Sequence, residues 1–133
     1  MNVTRSFIFT TALPPATAAA AAAAVAVVQR EPERRMRLWS NRQRLFNGMQ
    51  KLGFRMTQTV SPILPILVGD AATASALAER LRTHGIYASA IRPPTVPDGT
   101  SRIRFTVTSE HTTEQIDEAL HALDRAGRET GLL

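Results

Sequence analysis

The sequence predicts an α+β fold: a small antiparallel or mixed sheet covered by helices on one face over residues 54–133, preceded over residues 1–53 by a strand and long connecting helices. Three observations predict it. Residues Arg102 to Thr108 alternate, with Arg102, Arg104, Thr106 and Thr108 on one side and Ile103, Phe105 and Val107 on the other, which is the period of a half-buried strand. From Ser61 onward the patterns run strand, helix, strand, strand, helix, and a sheet with helices on one face is the economical way to bury such stripes. A chain of 133 residues, 44% of them hydrophobic, supports one core and is too short for two comfortable ones.

Met1 to Gln29 admit two readings. Arg5, Phe7-Ile8-Phe9 and the alanine run resemble a secretory leader, but Pro14-Pro15 breaks the apolar region before the alanines begin. The other reading is a strand from Phe7 to Thr10, a rigid turn at the proline pair, and a helix starting just after it. The run is too short to span a membrane, which needs about 20 apolar residues. Alanine favours helix but buries little surface, so Ala18 to Ala26 suit close packing against another helix or another chain.

Glu31-Pro32 interrupts this helix. The pattern resumes with Leu38, Trp39, Arg42, Leu45, Phe46, Met49 and Leu52 on one face of a long helix that Gly53 ends. Pro62 to Val68 read as a buried strand closed by Gly69-Asp70. Asp70 caps a helix from Ala71 to His84 whose inner face holds Ala74, Leu77, Ala78 and Leu81, with Gly85 at its end and a short strand from Ile86 to Ile91 after it. Thr112 and Gln115 fit a capping box, and Ile116, Ala119, Leu120 and Leu123 line the last helix.

Several functions are disfavoured by the same residues. There is no cysteine, so disulfides, thiolate nucleophiles and sulfur-bound metals are excluded. His84, His111 and His121 are dispersed without a ligand spacing, so no metal site is expected. The net charge of +5 invites a nucleic-acid reading, but Lys51 is the only lysine and the arginines are scattered among glutamates. Only Arg34-Arg35-Met36-Arg37 clusters, directly after Glu31 and Glu33, so no nucleic-acid partner is expected.

The segment from Ile91 to Val107, IRPPTVPDGTSRIRFTV, organises the rest. Adjacent prolines fix backbone dihedrals, and a loop so stiffened can present Arg92 and Thr95 at low entropic cost. The strand that follows aims arginines outward from its exposed face.

Three stretches in order, FIFTTALPPA, SPILPILVGD and GIYASAIRPPTVPDGTSRIRFTVTSEHT, resemble the C-terminal part of the 8-amino-7-oxononanoate synthase family, within the pyridoxal-phosphate-dependent α-oxoamine synthases. The resemblance covers nearly all of the chain. It implies a fold type I homodimer with active sites at the subunit boundary. The implied reaction condenses L-alanine with a pimeloyl thioester, releasing carbon dioxide and the thiol carrier, on the way to biotin.

By the same resemblance, Thr10 and Thr11 match the pair that reaches the cofactor phosphate of the neighbouring subunit, Thr95 matches the substrate-contacting threonine of the PPT loop, and Arg104 matches the arginine that grips the amino-acid carboxylate. Arg92 and Arg102 would fix the loop or a domain contact, and His111 would be a turn residue. The family's cofactor-bearing lysine lies in a glycine-rich segment upstream of the FIFTT match. Lys51, at the end of an amphipathic helix, cannot replace it. The resemblance therefore implies no catalytic residue here, a large pyridoxal-phosphate domain supplied by another chain or by upstream sequence, and a chain inactive alone: a truncated product, a fragment or half of a split enzyme. The expected location is the cytoplasm. The alternative reading is a non-enzymatic protein-interaction module derived from such an enzyme.

Overall fold

A computed structural model of the chain describes residues 11–57 and 59–133. The strand expected from Phe7 to Thr10 lies outside them. The chain forms two compact units, Met1–Arg34 and Arg35–Leu133.

In the first unit, helix α1 (Pro15–Arg30) begins at the proline pair, with proline in its first turn, and ends at Glu31, whose N–H donates to the Val27 carbonyl at 2.9 Å. Proline suits a first turn because its missing N–H would have no intrahelical partner there. No residue of α1 is buried. Helix α2 (Pro32–Leu52) starts at the interruption and runs on into the second unit.

The second unit holds β1 (Ile63–Gly69), α3 (Ala71–Thr83), β2 (Ser89–Ile91), β3 (Ser101–Thr106) and α4 (Thr113–Glu129), the order expected. The three strands form a wholly antiparallel sheet in the order β1-β3-β2. On its covered face Leu64, Ile66, Ile103 and Phe105 are buried together with Leu77 and Leu81 of α3, Ile116, Leu123 and Ala126 of α4, and Leu45, Phe46 and Met49 of α2. β2 is shorter than the strand predicted over Ile86–Ile91, because pairing with β3 covers only Ser89 to Ile91.

Both predicted caps form. The Asp70 carboxylate accepts from the Thr73 N–H at 2.7 Å, and Thr112 and Gln115 exchange the two hydrogen bonds of a capping box at 3.3 and 3.0 Å. Arg44 of α2 forks onto Asp117 of α4 at 2.8 and 2.6 Å, and Leu120 covers Gly48 so closely that a Cβ there would collide with its side chain. The expected stripe of α2 needs one correction: Trp39 is 46% exposed, and burial begins at Arg42. Arg42 reaches over the Phe46 ring at 4.7 Å and donates to the Thr59 carbonyl at 2.5 Å, taking the inward place next to the loop that enters β1.

Candidate functional site

Among the described residues of the second unit no helix covers the other face of the sheet, whose composition follows from strand register. Residues opposite each other in an antiparallel pair point to the same side. Arg104 pairs with Pro65 and Ser89, Arg102 with Leu67 and Ile91, and Thr106 with Ile63, so these side chains share the open face. Burial agrees, since Ser101, Ile103 and Phe105 are buried while Arg104 and Thr106 are exposed.

A fourth, very short segment extends this face beyond β1. Met56 bridges Ile66 antiparallel and the Leu67 N–H donates to the Arg55 carbonyl at 2.8 Å, which sets Arg55 beside Leu67 and Thr57 beside Pro65. Two rows therefore cross the sheet: Arg55, Leu67, Arg102 and Ile91, then Thr57, Pro65, Arg104 and Ser89. They contain three arginines and no carboxylate.

Arg104 is exposed, and its side chain has neither ion pair nor hydrogen bond among the described residues. Arg102 is half-buried, its Nε donating to the Thr100 carbonyl at 3.1 Å. The loop between β2 and β3 is built from two turns. In the first, the Thr95 N–H donates to the Arg92 carbonyl at 3.0 Å around a cis Pro93–Pro94 bond, a turn geometry in which cis-proline takes the third place. In the second, Thr100 donates both its N–H and its hydroxyl to the Pro97 carbonyl, at 3.2 and 2.7 Å, with Gly99 at φ +73°. Arg92 and Thr95 are exposed on this loop.

Of the site residues expected from the sequence, Thr95 and Arg104 lie in the second unit, on the loop leaving β2 and on the open face of β3. Thr11 is exposed just before α1 in the first unit, and Thr10 lies outside the described residues. His111 is a turn residue: its Nδ1 accepts from the Thr108 N–H at 3.3 Å and its carbonyl from the Asn41 amide at 2.7 Å. Lys51 ends α2 among Gly48, Leu120 and Asp124, on the helical side of the module. The sequence reading missed Arg55. Its signal was the short alternation Phe54-Arg55-Met56-Thr57, buried, exposed, half-buried and exposed in turn.

The perturbed ionisations lie elsewhere. Arg44 hydrogen-bonds Asp117 and holds its carboxyl below the usual range, and the Thr73 N–H and hydroxyl do the same to Asp70. Among the described residues no cluster of three or more histidine, aspartate or glutamate side chains could hold a metal ion, and no helix is long and apolar enough to cross a membrane.

The described residues thus form an antiparallel sheet with helices on one face, long helices before it and arginines on the other face. The aminotransferase class I and II family matches residues 1–123, and the chain belongs to that family. Its fold matches the C-terminal portion of a fold type I pyridoxal-phosphate enzyme. The chain is 43% identical over 129 residues to the 8-amino-7-oxononanoate synthase of Symbiobacterium thermophilum, covering 97% of this chain and 33% of that protein. Among solved structures it is similar to a serine palmitoyltransferase from S. paucimobilis with bound PLP–myriocin, at 35% identity and a TM-score of 0.88 over 94% of this chain and 32% of that one. It is also similar to the 8-amino-7-oxononanoate synthase from Francisella tularensis, at 28% identity and a TM-score of 0.77 over 94% of this chain and 36% of that one. The chain thus spans about a third of the length of the relatives it matches.

Proposed function

We propose that this chain serves as the small, substrate-gripping portion of an 8-amino-7-oxononanoate synthase. That enzyme is a pyridoxal-phosphate-dependent acyltransferase joining L-alanine to a pimeloyl thioester in biotin synthesis. The observation that carries the reading is Arg104, held on a rigid central strand in a row with Pro65 and Ser89 and unpartnered among the described residues. A guanidinium so placed can take a carboxylate through two parallel hydrogen bonds, which no lysine can reproduce. Gripping the amino acid's carboxylate fixes which bond at its α-carbon stands perpendicular to the cofactor ring.

Bound pyridoxal phosphate would supply the electron sink. Its fit to the residues present is partial. Thr11, with Thr10 before it, offers hydroxyl donors of the kind a phosphate takes, and Thr95 sits on a stiff loop that can touch substrate. No lysine stands on the open face, because Lys51 belongs to the helical side. The covalent anchor would therefore come from a large domain outside these residues, with residues 1–53 as the connection to it, residues 54–133 as the small domain, and a cytoplasmic homodimer as the complete assembly.

The test treats the chain with pyridoxal phosphate and borohydride and reads its intact mass. The chain alone gains no reduced cofactor, whereas the chain joined to the preceding portion of a relative gains one. A gain in the chain alone that is lost in Lys51→Ala contradicts the reading. A second reading, an interaction module, is favoured by the exposed Val25, Val27, Met36 and Trp39. Light scattering across concentration separates that reading from a lone folded monomer, and co-purification shows whether the partner is the synthase's large domain or another protein.

A further inference from the structure

We propose that Arg55 and Arg102 form a phosphate clamp across Leu67, distinct from the carboxylate grip of Arg104. The register places Arg55, Leu67 and Arg102 in one row on the open face. Neighbouring strands are about 4.8 Å apart, so the two arginines stand roughly 10 Å apart at the backbone with one apolar side chain between them. Both side chains are long enough to meet above that leucine.

A hollow of about 320 Å³ opens there, lined by Arg55, Thr57, Leu67, Thr100 and Arg102 and walled by Gly69 and Gly99. Both glycines have positive φ, +93° and +73°, and present bare backbone to the hollow. Arg102 is pre-set by its Nε bond to the Thr100 carbonyl, which leaves its terminal amines without a partner among the described residues. Arg55 has none there either. Asp70, next to Gly69, makes no ion pair with either arginine, its carboxylate accepting instead from the Thr73 N–H and hydroxyl at 2.7 and 2.9 Å.

Two guanidinium forks and a threonine hydroxyl around one hollow match a tetrahedral dianion better than a planar monoanion. The dianion offers an oxygen to each fork and a third to Thr57, whereas a carboxylate satisfies a single fork. The next row, only two residues along β3, holds Arg104. An acyl thioester carried on a phosphorylated pantetheine arm, which is longer than the spacing of about 7 Å between the two rows, would reach Arg55 and Arg102 with its phosphate by folding its arm back while the amino acid sits at Arg104. That source for the phosphate rests on the function proposed above; the clamp itself does not. A free phosphate ion is the other source.

The test titrates the ¹⁵N-labelled full chain with inorganic phosphate and with coenzyme A at constant ionic strength, following the amides of Leu67, Gly69, Thr100 and Arg102. Saturable shifts confined to these amides are expected. Arg55→Gln and Arg102→Gln should each raise Kd about tenfold, while Arg80→Gln on α3 leaves it unchanged. Each variant's own spectrum reports that it is folded. Coenzyme A binding at least about tenfold tighter than inorganic phosphate assigns the clamp to the thioester carrier, and equal affinities assign it to the free ion. Shifts that never saturate, or a Kd unmoved by both substitutions, overturn the clamp. The readout needs no pyridoxal phosphate, so the clamp and the proposed function can fail separately.

Discussion

Gly127 is buried in the last turn of α4, and a Cβ there would come within 2.7 Å of Phe54 Cζ and 2.8 Å of Leu133 Cδ1. Alanine favours helix over glycine by about 1 kcal/mol, but forcing a methyl into a packed core costs about 1–3 kcal/mol. Crowding wins, because Phe54 is itself buried and cannot swing away. Gly127→Ala should therefore lower stability by about 1 kcal/mol in urea denaturation.

Asp70 gives a residue-level pH dependence. The Thr73 N–H and hydroxyl hold its folded pKa below the ordinary aspartate value. A depressed folded pKa means that the stabilisation is complete above the unfolded value, about 4, and is lost as pH falls through the folded one. Asparagine can still cap without titrating. The Tm advantage of the wild type over Asp70→Asn should thus shrink as pH falls below about 4, and an advantage independent of pH contradicts the account.

Among the elements, α2 shows where charge enters the core. The Arg42 hydrogen bond to the Thr59 carbonyl is charge-assisted, a kind that contributes about 1.5–3 kcal/mol, but Arg42 Nε is buried without a partner and offsets part of it. Arg42→Met keeps the volume and loses the bond, so a net loss of about 1 kcal/mol in denaturant unfolding is expected. The sequence made much of this element level legible. Capping residues announce themselves by type and spacing, as Asp70, Thr112 and Gln115 did, and alternation along β3 separated Arg104 from Phe105 without knowledge of any neighbour.

What stayed hidden depended on contacts distant in sequence. Helical spacing placed Trp39 and Arg42 on one face, but only the loop at Thr59 decides that Arg42 turns inward, while Trp39 stays 46% exposed. Arg55 escaped for the same reason, because a two-residue pairing with β1 is too short to leave a periodic pattern, yet it adds an arginine to the open face. β2 likewise begins only at Ser89, opposite Arg104, although β3 runs on to Thr106 in its pairing with β1.

At the scale of the molecule, the helices and the arginines divide the labour. One face of the sheet is closed by α2, α3 and α4 and gives the module its core, and the other carries positive charge with no carboxylate in its two rows. A face like that gains by meeting an anion, as the carboxylate grip proposed for Arg104 requires. The most direct measurement is the kcat/KM for L-alanine of a synthase assembled from this chain and the preceding portion of a relative, with Arg104 intact or replaced. Arg104→Gln should lower it about 100-fold, with Arg104→Lys in between and the KM for the thioester little changed. A value for Arg104→Gln within about twofold of the unaltered enzyme would contradict the carboxylate grip on which the account depends.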